Sequence, residues 1–225
     1  MTDPASHRAR HEEVGAKERD YPWTVLAVDP VALPLTRLLA RTKALSPNQV
    51  TALSLTIALP IGALYATTER WGLVAGGILY YLSFVLDCVD GKLARTLRTS
   101  SKRGELLEQM ADEGRRLSAA LGLIAYLYRS DGGAIIWLPI LYGFLAAYFM
   151  AVSGGERKEP RSAVGGRISG ALARRRLLPT IGMPDVSAIV YVIGPIAGVV
   201  VPCLWVGLVL ICLAILKVLW RLRRR

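Results

Sequence analysis

Four carboxylates border two apolar stretches near the middle of the chain, at Asp87, Asp90, Glu108 and Asp112. Asp87 and Asp90 are three residues apart and Glu108 and Asp112 are four apart, so each pair shares one face of a helix. Two antiparallel helices joined by a short hinge bring the pairs to the same depth. Because bare acids packed this closely repel one another and lose hydration, the pattern indicates that cations bind there.

The kind of cation follows from the ligands. Oxygen-only ligands favour Mg²⁺ or Mn²⁺, and four carboxylates balance the charge of two such ions. Paired metal ions polarise a phosphoryl group and stabilise both the attacking and the leaving oxygen. The two histidines of the chain lie in its polar first 28 residues, and the three cysteines show neither a disulfide nor a zinc spacing. We therefore predict a site for two divalent cations that acts on a phosphate substrate.

The residues between the two acidic pairs suit such a substrate. Gly91 permits close approach of a ligand to the backbone. Ala94 is small, and the planar fork of Arg95 matches phosphate oxygens. Gly104 marks the hinge before the next apolar stretch. These four residues are the predicted ligand-binding positions.

The helices that must hold these residues are membrane helices. Hydrophobic residues make up 53% of the chain, its mean hydropathy is +0.39, and its charged residues (20%) are collected between apolar runs. This segregation is typical of an all-α integral membrane protein.

The apolar runs predict six transmembrane helices. The first covers about 46–67, and the second begins near 71 and runs into the acidic stretch. The third starts after Gly104 and ends near 128, and the fourth covers about 133–152. The last run, 186–220, would be about 52 Å long as one helix, against a hydrocarbon core of about 30 Å, so we divide it near Val201-Pro202.

An interfacial amphipathic helix is expected before the first span, over 30–44. Apolar residues occupy one side, and basic residues the other: Val31, Leu35, Leu38 and Leu39 against Arg37 and Arg41. This pattern is typical of a helix that lies on a membrane surface, although a plain amphipathic linker has the same pattern. The predicted domains are a polar, disordered cytoplasmic tail over 1–28 and a membrane domain over 29–225 that includes a basic cytoplasmic loop over 153–183.

The basic residues predict the orientation. Of the 28 Lys and Arg residues, 24 fall in 1–46, 92–103, 153–183 and 217–225. By the positive-inside rule, both termini and the acidic stretch face the cytoplasm in a multi-pass protein of the cell membrane. Anionic lipid explains these basic segments more simply than nucleic acid does, so we expect membrane lipids and no nucleic acid as partners.

The acidic stretch resembles the signature of the CDP-alcohol phosphotransferase (CDP-alcohol phosphatidyltransferase) family, D-x2-D-G-x2-A-R-x8-G-x3-D-x3-D. Seven positions match in type and spacing: Asp87, Asp90, Gly91, Ala94, Arg95, Gly104 and Asp112. Glu108 stands where the pattern has its third aspartate. The segment SPNQVT, at 46–51, resembles the short motif that opens the first span of the family, and the likeness extends over about 29–225.

The resemblance implies a transferase of substituted phosphate groups. A CDP-linked donor, such as CDP-diacylglycerol, is attacked by the hydroxyl of an acceptor alcohol and releases CMP, in phospholipid biosynthesis. Asp87, Asp90, Glu108 and Asp112 would hold two metal ions, and Asp112 would also take the proton of the acceptor. Gly91, Ala94 and Arg95 would line the nucleotide and pyrophosphate site. The resemblance also implies a homodimer.

Two other classes share some of these features. A cation transporter or channel also places acids in a membrane, although such sites tend to lie near the midplane rather than beside a basic hinge. A non-enzymatic scaffold or a catalytically weakened relative would also keep most of the signature, and Glu108 is the departure that such a protein would show.

Overall fold

The computed structural model describes residues 15–99, 101–153, 175–178 and 180–223. Within these residues the secondary structure consists of helices, apart from one isolated β-bridge. The helices are α1 (Asp29–Thr42), α2 (Pro47–Ala58), α3 (Ile61–Ala66), α4 (Arg70–Leu97), α5 (Lys102–Asp131), α6 (Trp137–Ser153), α7 (Met183–Ala188), α8 (Gly194–Ala197) and α9 (Val200–Arg223). One-turn π-helical segments, Thr24–Val28 and Ile189–Ile193, precede α1 and α8. The predicted all-α class is confirmed for this part of the chain. Most of the predicted basic loop, 153–183, lies outside it.

Three stretches are long and apolar enough to cross a membrane: Pro47–Ala66, Arg70–Leu97 and Val200–Trp220. They correspond to the first, second and sixth predicted spans. The third corresponds to α5, whose first half is charged, and the fourth to α6, which has 17 residues. The fifth corresponds to the shorter apolar segment Met183–Ala197. By length and composition, the described residues therefore contain three candidate membrane spans, which suggests a membrane protein.

The ends of the spans follow from local chemistry. Ser46 and Gln49 form a reciprocal capping box at the start of α2, with Pro47 in the first turn. The first span is interrupted at Leu59 and Pro60, between α2 and α3. The last apolar run is divided at Gly198, whose φ of 76° ends α8, a few residues before the predicted break.

The first helix differs in its packing from the predicted amphipathic pattern. The side of α1 that faces the protein carries Ala32, Leu33 and Leu39, whereas Val31 and Leu38 are exposed. The expected single apolar face is thus divided, because α1 packs against α4 and buries one side there. The exposed apolar residues form a second, outer side.

The long helix α4 lies at the centre of the contacts and touches α1, α2, α3 and α5. Ser54 of α2 and Ser83 of α4 each donate a hydrogen bond to the backbone carbonyl of the other, both at 2.9 Å. On α5, a methyl group at Gly122 would lie 2.6 Å from the Cα of Gly62, the second residue of α3, so these two backbones touch. Close contacts therefore fix the register of α2 against α4 and of α3 against α5.

Candidate active site

The hinge between α4 and α5 brings the two acidic pairs together. Arg98 ends α4 in the left-handed conformation with a φ of 54°, and Ser101 caps α5 by accepting a hydrogen bond from the backbone N–H of Gly104 at 3.0 Å. Gly104 therefore lies in the first turn of α5 rather than in front of it, which corrects the predicted start of the third span. The turn directs the carboxylates of α4 and α5 towards each other.

Each of the four carboxylates lies close enough to the other three to repel it electrostatically. Their depths differ. Asp87 and Asp90 on α4 are 8% and 3% exposed. On α5, Glu108 is exposed, and the side chain of Asp112 is 32% exposed. The two pairs thus lie within electrostatic range of each other, with the α4 acids buried and the α5 acids nearer the surface.

A cavity of about 440 Å³ opens at this hinge, and we call it the hinge cavity. Six of the eight signature positions line it: Asp90, Gly91, Ala94, Arg95, Gly104 and Glu108. Asp87 and Asp112 are not among the lining residues. The cavity wall is completed by residues from the hinge and from the start of α2, namely Pro47, Asn48, Thr51, Thr99, Ser101, Lys102 and Glu105.

The buried acids differ in how far their oxygens are satisfied. The hydroxyl of Thr51 donates a hydrogen bond of 2.6 Å to Oδ2 of Asp90. Within the described residues, Oδ1 of Asp87 and Oδ1 of Asp90 are buried and have no hydrogen-bond partner. A buried carboxylate oxygen without a partner is costly. A cation bound to these two oxygens would supply the partner that each of them lacks.

The residues therefore fit a divalent cation, although they are not gathered into a finished ligand set. Among the residues that the structure describes, no three His, Cys, Asp or Glu side chains converge as the ligands of one ion. The fit rests on the two unpartnered oxygens and on the chemistry of the donors, which are carboxylates only.

Arg115 lies between two of the four acids, Asp87 and Asp112. Its side chain is 1% exposed, its Nη2 bonds to Oδ1 of Asp112, and the same nitrogen lies 3.7 Å from Oδ2 of Asp87. Nη1 donates to Oγ of Ser83 at 3.3 Å. Sequence reasoning assigned Arg115 no role, although its position three residues after Asp112 places both on one helical face.

Arg95 and Gly91 lie together on the cavity wall. A methyl group at Gly91 would be 3.4 Å from Nη1 of Arg95 and 3.7 Å from Oε1 of Glu108, so these two side chains flank the glycine. The Nε of Arg95 donates to the backbone carbonyl of Gly15 at 2.7 Å. A residue of the N-terminal segment, Gly15, thus holds the guanidinium beside the cavity.

The N-terminal segment is attached to the site helix by buried charges. Asp29 at the start of α1 forms an ion pair with Lys92 of α4 at 3.0 Å, and both side chains are 4% exposed. Arg176 contacts the other oxygen of Asp29 at 3.1 Å. In addition, Asp20 and Leu177 form an isolated β-bridge. These contacts join α1, α4 and the 175–178 segment on the cavity side of the protein.

Part of the site was not foreseen from the sequence. Asn48 and Thr51 lie in the segment SPNQVT, whose likeness to a family motif was noted without a role for its residues. Thr51 now bonds to Asp90, and Asn48 lies against Gly104, where an added methyl group would be 3.2 Å from Oδ1 of Asn48. The motif was therefore visible in the sequence. The role of its residues depends on a tertiary contact between α2 and α4, which the sequence does not reveal.

Comparison with known proteins agrees with this geometry. The family model described as CDP-alcohol phosphatidyltransferase matches residues 44–220. A curated relative, the bifunctional IPC transferase and DIPP synthase of Thermococcus kodakarensis, is 37% identical over 67 residues, which are 30% of this chain and 15% of the relative. The aligned stretch is thus a small part of that protein. Because the family match extends over most of the chain and includes every residue of the hinge cavity, the chain belongs to the CDP-alcohol phosphatidyltransferase family.

Proposed function

We propose that the protein transfers a substituted phosphate group, in particular a phosphatidyl group, from a CDP-linked donor such as CDP-diacylglycerol to an acceptor alcohol, with release of CMP. The reaction belongs to phospholipid biosynthesis. One observation carries the proposal: the hinge cavity combines the carboxylates of Asp90 and Glu108 with the guanidinium of Arg95 in one wall. A site with both charges suits a pyrophosphate together with its cation.

The cavity residues bind the donor. Arg95 presents a planar fork to the phosphate oxygens, and Gly91 lets the pyrophosphate approach the α4 backbone. Ala94 and Gly104 keep the wall free of bulky side chains. The nucleotide lies towards the start of α2, where Asn48 offers amide groups.

The acidic cluster holds divalent metal, Mg²⁺ or Mn²⁺. Asp87 and Asp90 supply the two buried oxygens that have no other partner among the described residues, and Glu108 supplies a ligand from α5. When bound, the metal neutralises charge on the phosphoryl oxygens.

Asp112 serves as the base. The oxygen of the acceptor hydroxyl attacks the phosphorus that bears the lipid alcohol, the phosphoanhydride bond to CMP breaks, and the hydroxyl proton passes to the carboxylate of Asp112. This carboxylate is partly exposed, as proton exchange requires, and its Oδ1 is the oxygen that Arg115 contacts. Oδ2 is the oxygen that we assign to the proton.

The membrane arrangement is part of the proposal. We propose six spans with both termini and the hinge cavity at the cytoplasmic side of the cell membrane, and α1 at the interface. The exposed Leu26, Val31 and Leu38 support contact of the α1 region with lipid. We further propose a homodimer, on family resemblance.

The test is release of CMP by the purified full chain in detergent or vesicles. Labelled CDP-diacylglycerol is supplied with a panel of acceptors: glycerol phosphate, inositol phosphate and a lipid with a free hydroxyl. We expect CMP release that requires one of these acceptors and stops on chelation. Asp90→Asn should abolish it, whereas Glu113→Gln, which affects an exposed acid paired with Arg116, should not. Cation flux through vesicles without CMP release would instead support a transporter.

A further inference from the structure

We propose that the guanidinium of Arg115 takes the place of one of the two divalent cations that the signature implies, so that each chain binds a single divalent ion. The inference rests on the proposed function, because it concerns the metal content of that same site. The inference goes beyond the proposed function, because it assigns a fixed positive charge of the protein to the position between Asp87 and Asp112.

The first argument is position. Nη2 of Arg115 bonds to Oδ1 of Asp112 on its own helix and lies 3.7 Å from Oδ2 of Asp87 on α4. An ion shared by these two acids would need to lie about 2.0–2.6 Å from their oxygens. The guanidinium occupies that gap, and a second cation in the same place would be repelled by it.

The second argument is that Arg115 is held firmly. Ser83 accepts a hydrogen bond from Nη1, and Ser83 is itself fixed to Ser54 of α2. The guanidinium carbon also lies 5.7 Å from the ring centre of Tyr80 and 5.2 Å from that of Phe84, within the range of cation–π attraction. The side chain of Arg115 is 1% exposed and thus buried away from solvent. Arginine also keeps its proton under all ordinary conditions.

The third argument is which oxygens remain. Thr51 donates to Oδ2 of Asp90, and Arg115 contacts Oδ1 of Asp112. In the described part of the chain, the buried carboxylate oxygens of the cluster without a hydrogen bond are Oδ1 of Asp87 and Oδ1 of Asp90, one helical turn apart on α4. Together with Glu108, they suffice for one ion on the cavity side.

The experiment counts bound metal. The purified full chain in detergent is dialysed to equilibrium against Mn²⁺, bound Mn²⁺ is counted per chain, and the electron paramagnetic resonance spectrum is examined for coupling between neighbouring ions. We expect one Mn²⁺ per chain and an uncoupled spectrum. Two ions per chain, or a coupled spectrum, would overturn the inference and leave the proposed function standing. Absence of binding at Mn²⁺ concentrations that support catalysis would count against both.

Variants separate charge from packing. Arg115→Lys keeps a positive charge at the position, and we expect it to retain one ion. Arg115→Gln removes the charge, and we expect a second ion to bind and the spectrum to show coupling. A count that stays at one in folded Arg115→Gln would overturn the inference. Arg116→Gln is the matched control, because Arg116 is the neighbouring arginine and pairs with Glu113 instead, so its count should remain one. The count on the unaltered chain decides the matter if Arg115→Gln does not fold.

Discussion

Thr51 of α2 donates a hydrogen bond of 2.6 Å to Oδ2 of Asp90 of α4, and both side chains are buried. The contact joins the motif that opens the first span to the second aspartate of the signature. With Oδ2 engaged in this way, Oδ1 of Asp90 is buried without a hydrogen-bond partner among the described residues.

Thr51→Val keeps the shape of the side chain and removes the donor. We expect the free energy of unfolding to fall by about 1–3 kcal/mol, because a buried acceptor loses its partner. We also expect weaker Mn²⁺ binding, because Asp90 is no longer held in one orientation. Unfolding and Mn²⁺ titration in detergent measure the two effects. Thr56→Val is the control, since that hydroxyl is exposed and donates only within its own helix, to Ala52 at 2.9 Å. Equal behaviour of the two variants would contradict the assignment.

Gly91→Ala tests whether the α4 backbone must be approached by a ligand. The added methyl group meets only ordinary contacts, at 3.4 Å from Arg95 and 3.7 Å from Glu108. Alanine is also the better helix former by about 0.5–1 kcal/mol. We therefore expect an intact or slightly more stable protein whose KM for the CDP-linked donor rises. Gly143→Ala, at a helical glycine with open space around it, should leave that KM unchanged. An unaltered donor KM in Gly91→Ala would show that no ligand contacts this backbone.

Arg95→Lys should weaken use of the donor more than use of the acceptor. An ammonium group is a point charge and does not reproduce the two parallel hydrogen bonds of a guanidinium. Initial rates with each substrate varied in turn give the two KM values. Arg103→Lys, an exposed arginine in the first turn of α5, serves as the control. A rise confined to the acceptor KM would place Arg95 at the acceptor side of the site.

Glu108 is the one departure from the signature, and two substitutions test it. Glu108→Gln removes a charge at nearly constant volume, so we expect Mn²⁺ affinity and CMP release to fall at least about tenfold, the smaller loss seen when groups next to a metal are changed. Glu108→Asp restores the pattern and should be mild or beneficial. Asp112→Asn provides the reference for a lost base. Activity that survives Glu108→Gln but not Asp112→Asn would remove Glu108 from the site.

Lys92→Met should destabilise the protein without a comparable change in donor KM. It leaves Asp29, whose side chain is 4% exposed, without its closest cation. Breaking one side of a buried ion pair costs about 3–5 kcal/mol, and here Arg176 offsets part of the loss. Unfolding in detergent measures the change, with the exposed Lys217→Met as the control. A stability equal to that of the control would mean that the pair contributes nothing.

The features that could be predicted from the sequence are those set by neighbouring residues. The capping box at Ser46 involves residues within one helical turn, and each acidic pair lies on a single helix as expected. The rotation of one helix about its axis relative to a neighbouring helix is not set by neighbouring residues in the chain. In a membrane, both sides of a helix are apolar, so hydrophobic pattern does not specify which side meets a neighbour. The contact of Thr51 with Asp90, and the place of Arg115 between two acids, depend on that rotation and were missed for this reason.

The split of α1 has the same origin. Its apolar residues were expected on one membrane-facing side, but Leu39 is buried against the protein and Leu38 is exposed. A sequence pattern records that a residue avoids water and does not distinguish a protein neighbour from a lipid neighbour. The break at Pro60 is local in origin, yet it leaves α2 and α3 close enough to act as one apolar stretch, Pro47–Ala66.

The hydrogen bond from Arg95 to the carbonyl of Gly15 has a thermodynamic consequence for the encounter with the donor. A free arginine side chain loses up to about 2 kcal/mol of rotamer entropy when it is ordered by a ligand. Here the backbone of a residue far outside the signature orders it beforehand. With Arg95 as the proposed donor ligand, the N-terminal segment would contribute to donor affinity without touching the donor, and the affinity would belong to the whole chain rather than to the signature alone.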